Sequence, residues 1–144
     1  MMGVIMKLYV YGTLRKGFRL NEYLGNATFL KKVTLKGFKM YDNGGSFPYV
    51  VHVPNSSATI VAELYEIDEK ILEVCDRIEG IPYHYQRIEI NNPETGFIYT
   101  VEQKKVQALR RIYSGDWALK GENDVINARS KKRTNYFKDE AVYF

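Results

Sequence analysis

Hydrophobic and polar positions along the chain predict short strands arranged around one helix. Lys7-Leu8-Tyr9-Val10-Tyr11 is almost wholly apolar or aromatic, as expected of a central strand covered on both faces, and Gly12 ends it. Asn21 suits the N-cap of a single helical turn, Glu22-Tyr23-Leu24, closed by Gly25. Phe29 to Met40 alternates as one long strand with a bend or bulge at Gly37, and Asp42-Asn43-Gly44-Gly45-Ser46 is a loop. Pro48 to Val53 and Thr59 to Ile67 read as two further strands, joined by Pro54-Asn55-Ser56-Ser57.

The period then changes. Asp68 caps a helix, Glu69 opens its first turn, and Ile71, Leu72, Cys75 and Ile78 recur on one face. Gly80 is placed to stop it, and Pro82 forbids resumption. His84 to Ile90 returns to strand alternation, Asn91-Asn92-Pro93-Glu94-Thr95-Gly96 turns the chain, and Phe97 to Val101 is a strand. Val106 to Tyr113 suits either a helix or an edge strand. Gly121 to Phe144 is polar, basic and poorly patterned, a tail that docks through Tyr136, Phe137 and Tyr143 or stays mobile. Strands, one real helix, then more strands predict an α+β domain around a mixed or barrel-like sheet, and not a doubly wound fold.

Composition changes this picture little. A chain of 144 residues suits one domain, 1–144, with a core of about 7–120 and a basic tail at 121–144. The formal charge of +4 is regional: Lys104, Lys105, Arg110 and Arg111 precede the tail, and Lys131, Lys132 and Arg133 lie in it. That clustering favours a solvated tail over a nucleic-acid surface. Cys75 is the sole cysteine, which excludes an intrachain disulfide and suits a reducing cytoplasm. The opening residues lack the basic and apolar regions of a signal peptide, and no apolar run is long enough to cross a membrane. The expectation is a soluble cytoplasmic protein, monomer or homodimer, whose partner is a small molecule.

Two stretches carry candidate chemistry. Gly12 to Gly17 has the glycine spacing of a phosphate loop, but Phe18 and Arg19 stand where the lysine and the Ser/Thr are required. A nucleotide-binding loop is thereby excluded, and no dinucleotide fingerprint is present. The backbone amides of such a turn can still converge on a carboxylate or an oxyanion, although an ordinary strand-to-loop turn has the same spacing. The second stretch is Asp76-Arg77-Ile78-Glu79-Gly80. Glu79 falls in the last helical turn, where the dipole disfavours a negative charge, and apolar neighbours would desolvate it. Both influences raise a carboxyl pKa and suit acid/base work; an exposed helix-end glutamate is the plain alternative. His52 and His84 have no partners at metal-ligand spacing, and Cys75 sits on the apolar helix face.

Taken in order, these motifs resemble the γ-glutamylcyclotransferase superfamily, particularly its small AIG2-like and γ-glutamylamine cyclotransferase branches. The resemblance rests on Tyr11-Gly12-Thr13-Leu14 with Arg15-Lys16-Gly17 and Asn21, and on Gly44-Gly45-Ser46-Phe47-Pro48. It continues through Glu63-Leu64-Tyr65, Asp76 to Gly80, and Tyr85-Gln86-Arg87, covering Lys7 to Val101; Ala62 stands where the family commonly has glycine. The resemblance implies a small mixed β-barrel with one main helix and short flanking helices. It implies Glu79 as the catalytic acid/base, with Gly12, Thr13 and Leu14 holding a glutamyl unit through their amides. Tyr11 and Tyr85 would shape the pocket, and Arg15 and Arg87 are candidate partners for a substrate carboxylate. The implied reaction closes a γ-glutamyl compound into 5-oxoproline and frees an amine, with no cofactor and no metal. Other readings are an enzyme acting on another γ-glutamyl conjugate, a non-catalytic module binding a small anion in the same fold, or an RNA-associated protein using the tail.

Overall fold

A computed structural model describes residues 5–44, 47–80 and 84–119. The predicted tail and the predicted helix-breaking role of Pro82 lie outside these residues. The elements in chain order are β1 (Met6–Val10), β2 (Thr28–Lys36), β3 (Phe38–Asp42), β4 (Pro48–His52), β5 (Thr59–Ile67), α1 (Glu69–Glu79), β6 (Gln86–Ile90), β7 (Gly96–Thr100) and β8 (Arg110–Ile112). Single 3-10 turns occur at Asn21–Leu24, Gln103–Val106 and Trp117–Leu119.

β1 is central, as its unbroken apolar run predicts. It pairs antiparallel with β5 and parallel with β7 in a five-stranded sheet of order β2-β5-β1-β7-β6. Both faces of β1 are covered. Leu8 and Val10 join Ile71, Leu72 and Cys75 of α1 in one core cluster, while Tyr9 and Tyr11 join Leu35, Met40 and Trp117 in another. A strand sandwiched in this way has no polar face to present, which is why alternation is absent from its sequence.

The expected single strand over Phe29–Met40 is two strands in two sheets. Gly37 adopts a φ of 90°, which L side chains rarely adopt, and the chain turns there out of the first sheet. β3 then forms a three-stranded sheet of order β4-β3-β8. A bend was legible at Gly37, but the change of partner was not, since alternation continues across it. The ambiguous segment after Val101 resolves into a 3-10 turn followed by the short strand β8. Where the resemblance implies a barrel, the described residues form two open sheets. They are linked by isolated bonds at their margins, such as the Val101 amide to the Val50 carbonyl at 2.9 Å and the Val61 amide to the Gly115 carbonyl at 2.8 Å.

α1 begins where predicted. The Asp68 carboxylate accepts from the Ile71 amide at 2.9 Å. It ends at Gly80, whose φ of 71° is left-handed and whose amide donates to the Arg77 and Asp76 carbonyls. A side chain at position 80 would also press on the His84 Cβ, 2.9 Å away. This stop leaves Glu79 in the last turn of α1.

Candidate active site

The segment after β1 is a tight loop held by its own carbonyls. The Gly12 carbonyl accepts from the Arg15 amide at 2.9 Å, and that of Thr13 from the Leu20 amide at 2.9 Å. The Leu14 carbonyl accepts from the Asn21 side chain at 2.7 Å. The amides of Gly12, Thr13 and Leu14, by contrast, meet no protein acceptor among the described residues. Three consecutive buried residues with engaged carbonyls and unengaged amides form a donor-rich surface of the kind that binds anions. Gly12 must be glycine here, because a Cβ would stand 2.7 Å from Pro48 Cδ.

Gly12, Thr13 and Leu14 line a cavity of about 200 Å³ together with Tyr11, Glu79 and Tyr85. Six of the eight residues named by the resemblance are thus brought together from the loop after β1, the end of α1 and the residue just before β6. Arg15 and Arg87 are not among the lining residues. Arg15 is buried behind the loop, its Nε 3.2 Å from Glu63 and its guanidinium 2.8 Å from Asp116. Arg87 pairs with Asp76 and lies over the Phe97 ring.

Glu79 differs from every other acid near the loop. Burial alone pushes its carboxyl up from 4.5 to about 7. It has neither a hydrogen bond nor an ion pair among the described residues, although it keeps some solvent contact. Its helix neighbour Asp76 is fully partnered, accepting from the Tyr99 hydroxyl at 2.8 Å as well as from Arg87. The two acids therefore do not act as a pair.

The phenols around the cavity are fixed donors. Tyr11 donates to the Tyr99 carbonyl at 2.6 Å and Tyr85 to the Pro48 carbonyl at 2.7 Å. Burial, and then the neighbouring Glu79 charge, push Tyr11 well above the ordinary phenol range; burial does the same for Tyr85. Burial likewise pushes the Cys75 thiol up to about 12, so it is a core residue and no thiolate nucleophile.

The structure adds lining residues that the sequence did not single out, chiefly Arg19, Phe47, Pro48, His84 and Tyr99. Phe47, Tyr49, His84 and Tyr85 pack as one aromatic cluster, with His84 and Tyr85 ring centres 4.9 Å apart. Phe47 and Pro48 lay in a motif already noted. His84 had no local signal; its amide bonds to the Gly80 carbonyl at 2.8 Å, next to the helix end that carries Glu79. Burial, aided by Lys105, lowers the His84 pKa, so its ring is uncharged near neutrality. Among the described residues no cluster of His, Cys, Asp or Glu is arranged to hold a metal ion.

Residues 8–119 match the family described as gamma-glutamyl cyclotransferase, AIG2-like. The chain belongs to this family. A Methanocaldococcus jannaschii protein provisionally named a gamma-glutamylcyclotransferase is 44% identical over 86 residues, covering 58% of this chain and 69% of that protein. The gamma-glutamylaminecyclotransferase of Rattus norvegicus is 34% identical over 87 residues, 56% of this chain and 58% of the rat protein, so less than two thirds of that relative is spanned. In structure, the chain is similar to an uncharacterized Pyrococcus horikoshii protein, with a TM-score of 0.64 and 29% identity over 88% of this chain and 98% of the other. Family membership agrees with the α+β architecture and its one main helix. No described helix is long and apolar enough to cross a membrane.

Proposed function

We propose that the chain is a γ-glutamyl cyclotransferase that converts a γ-glutamyl compound, most simply a γ-glutamylamine, into 5-oxoproline and a free amine. The observation that carries this reading is the unpartnered, desolvated Glu79 in the same cavity as the open amides of Gly12, Thr13 and Leu14. A γ-glutamyl compound contains its own nucleophile, so the protein must supply proton transfer and charge stabilisation, with no nucleophile of its own. Glu79 accepts a proton from the α-ammonium, and the α-nitrogen attacks the γ-carbonyl carbon. The loop amides donate to the oxyanion of the tetrahedral intermediate. As the bond to the departing nitrogen breaks, Glu79 returns the proton to that nitrogen, and the second proton that the α-nitrogen sheds on becoming the lactam N–H passes the same way to the freed amine, which leaves as an ammonium. A carboxyl near pH 7 can do both steps, since it holds and releases a proton with little bias. Ring closure to five members adds the advantage of proximity.

Tyr11 and Tyr85 shape the cavity without titrating. The amine preference is supported by the apolar aromatic cluster of Phe47, His84 and Tyr85 on the wall, and by the name of the rat relative.

The test is 5-oxoproline release from a panel of γ-glutamyl amines, dipeptides and glutathione. Glu79→Gln is expected to lower kcat about 10²- to 10⁴-fold while folding normally. With the wild type, kcat/KM should rise with pH through an acid limb near 7, as Glu79 ionises. Full activity in Glu79→Gln would sink the reading.

A further inference from the structure

The glutamyl unit proposed above carries an α-carboxylate, and the two arginines that sequence motifs offer for it are both occupied elsewhere. Arg15 is held by Glu63 and Asp116, and Arg87 by Asp76. One cationic side chain remains among the described lining residues, Arg19. It is exposed and makes no ion pair or hydrogen bond among the described residues.

Its backbone is nevertheless well placed. The Phe18 amide donates to the Arg15 carbonyl at 3.0 Å, and the Leu20 amide to the Thr13 carbonyl at 2.9 Å. Residue 19 is therefore tethered on both sides to the loop whose amides face no acceptor, while its guanidinium is left without a protein partner. The head of a γ-glutamyl compound is a zwitterion, with an ammonium and a carboxylate on one carbon. Among its described lining residues the cavity offers one acid, Glu79, and one cation, Arg19, and the remaining polar side chains are hydroxyls and an uncharged imidazole. An arginine is suited to this task because its planar fork matches a carboxylate through two parallel bonds.

We propose that Arg19 binds the α-carboxylate of the γ-glutamyl unit and makes a free α-carboxylate a requirement of the substrate. This rests on the cyclotransferase reading. It divides the work of the site: Arg19 holds the carboxylate, Glu79 manages the α-nitrogen, and the amides of Gly12 to Leu14 are left for the oxyanion. The selected class is γ-glutamyl compounds with a free α-carboxyl group. Glutamyl units whose α-carboxyl is amidated, as inside a peptide chain, are rejected.

The experiment compares γ-glutamylbutylamine with its α-carboxamide, which keeps the α-amine and the reacting γ-amide but lacks the negative charge. The full-length wild type is expected to favour the acid by about 10-fold or more in kcat/KM, mostly through KM, as a charge-assisted bond at a partly open site allows. Arg19→Gln should raise KM for the acid and reduce that preference to near unity, with kcat changed far less than KM. Arg19→Lys should restore part of the preference. Arg19→Gln retaining the wild-type preference overturns the proposal, while leaving Glu79 chemistry standing. A wild type that cyclises neither compound, nor any other γ-glutamyl compound in the panel, overturns the underlying reading and this inference with it.

Discussion

The loop after β1 has two sides built on opposite plans. Behind it, every charge is answered. The Glu63 carboxylate accepts from Arg15 at 3.2 Å, from the Lys16 amide at 2.8 Å and from the Tyr65 hydroxyl at 3.0 Å. Asp116 closes the cluster by accepting from Arg15 at 2.8 Å and from the Ala118 amide at 3.0 Å. In front, among the described residues, Glu79 has no such donors, and the amides of Gly12 to Leu14 have no such acceptors. A saturated cluster fixes geometry, because any movement breaks several bonds at once. An unsatisfied one stores binding capacity, because a ligand is needed to complete it. The loop is thus held rigid from the side that does no chemistry, and left open on the side that faces the cavity.

Breaking the rear cluster should give the largest effect on the fold. Arg15→Ala would leave Glu63 and Asp116 buried and facing each other, with side-chain exposures of only 9% and 11%. Removing one member of a buried ion cluster typically costs about 3–5 kcal/mol. Urea unfolding should show a loss of that order. A loss below about 1 kcal/mol would mean that water replaces the arginine and that the two sides are less different than described.

Next in size is a stability effect of opposite sign at Glu79. Its folded pKa of about 7 lies above the ordinary 4.5, so the folded chain holds the proton more tightly than the unfolded one. Relative to a neutral isostere, Glu79 then costs nothing below about pH 4.5. The cost grows as pH rises towards 7 and is complete above it, at roughly 3 kcal/mol. Glu79→Gln should therefore match the wild type in stability in acid and exceed it by about that amount at around pH 8. A difference that does not vary with pH would show that the carboxylate is satisfied after all. The same substitution is expected to lower kcat about 10²- to 10⁴-fold, so gain in stability and loss of activity should appear together.

Much of this contrast was legible in the chain. The α1 boundaries were readable because Asp68 and Gly80 are local signals, and the strand at Thr59–Ile67 because the turn-rich Pro54 to Ser57 precedes it and the Asp68 cap follows it. Glu79 could be singled out because its helical position and its apolar neighbours are adjacent in sequence. The destination of Arg15 was not readable. Its partners are 48 and 101 residues away, and nothing near Arg15 distinguishes a brace from a ligand-binding arginine. Arg19 was noticed only as a departure from a phosphate loop, since its place in the cavity depends on the Leu20–Thr13 bond. The split of the long strand at Gly37 was missed for a related reason: alternation reports which face is buried, never which sheet provides the cover.

The smallest expected effect is the one that best separates shape from chemistry. Tyr85 is 4% exposed, and its hydroxyl donates to the Pro48 carbonyl at 2.7 Å. Pro48 in turn is the residue that a side chain at Gly12 would strike. Tyr85 therefore holds the wall against which the loop packs, and burial keeps its phenol protonated. Tyr85→Phe removes one hydrogen bond and leaves the ring, at a cost of about 1 kcal/mol in stability. Turnover should fall only about 3- to 10-fold, the scale of slight misplacement, and the acid limb near pH 7 should stay where it is. A fall comparable to that of Glu79→Gln, or a displaced limb, would mean that the Tyr85 hydroxyl takes part in proton transfer. The division between a carboxyl that reacts and phenols that only shape the cavity would then have to be redrawn.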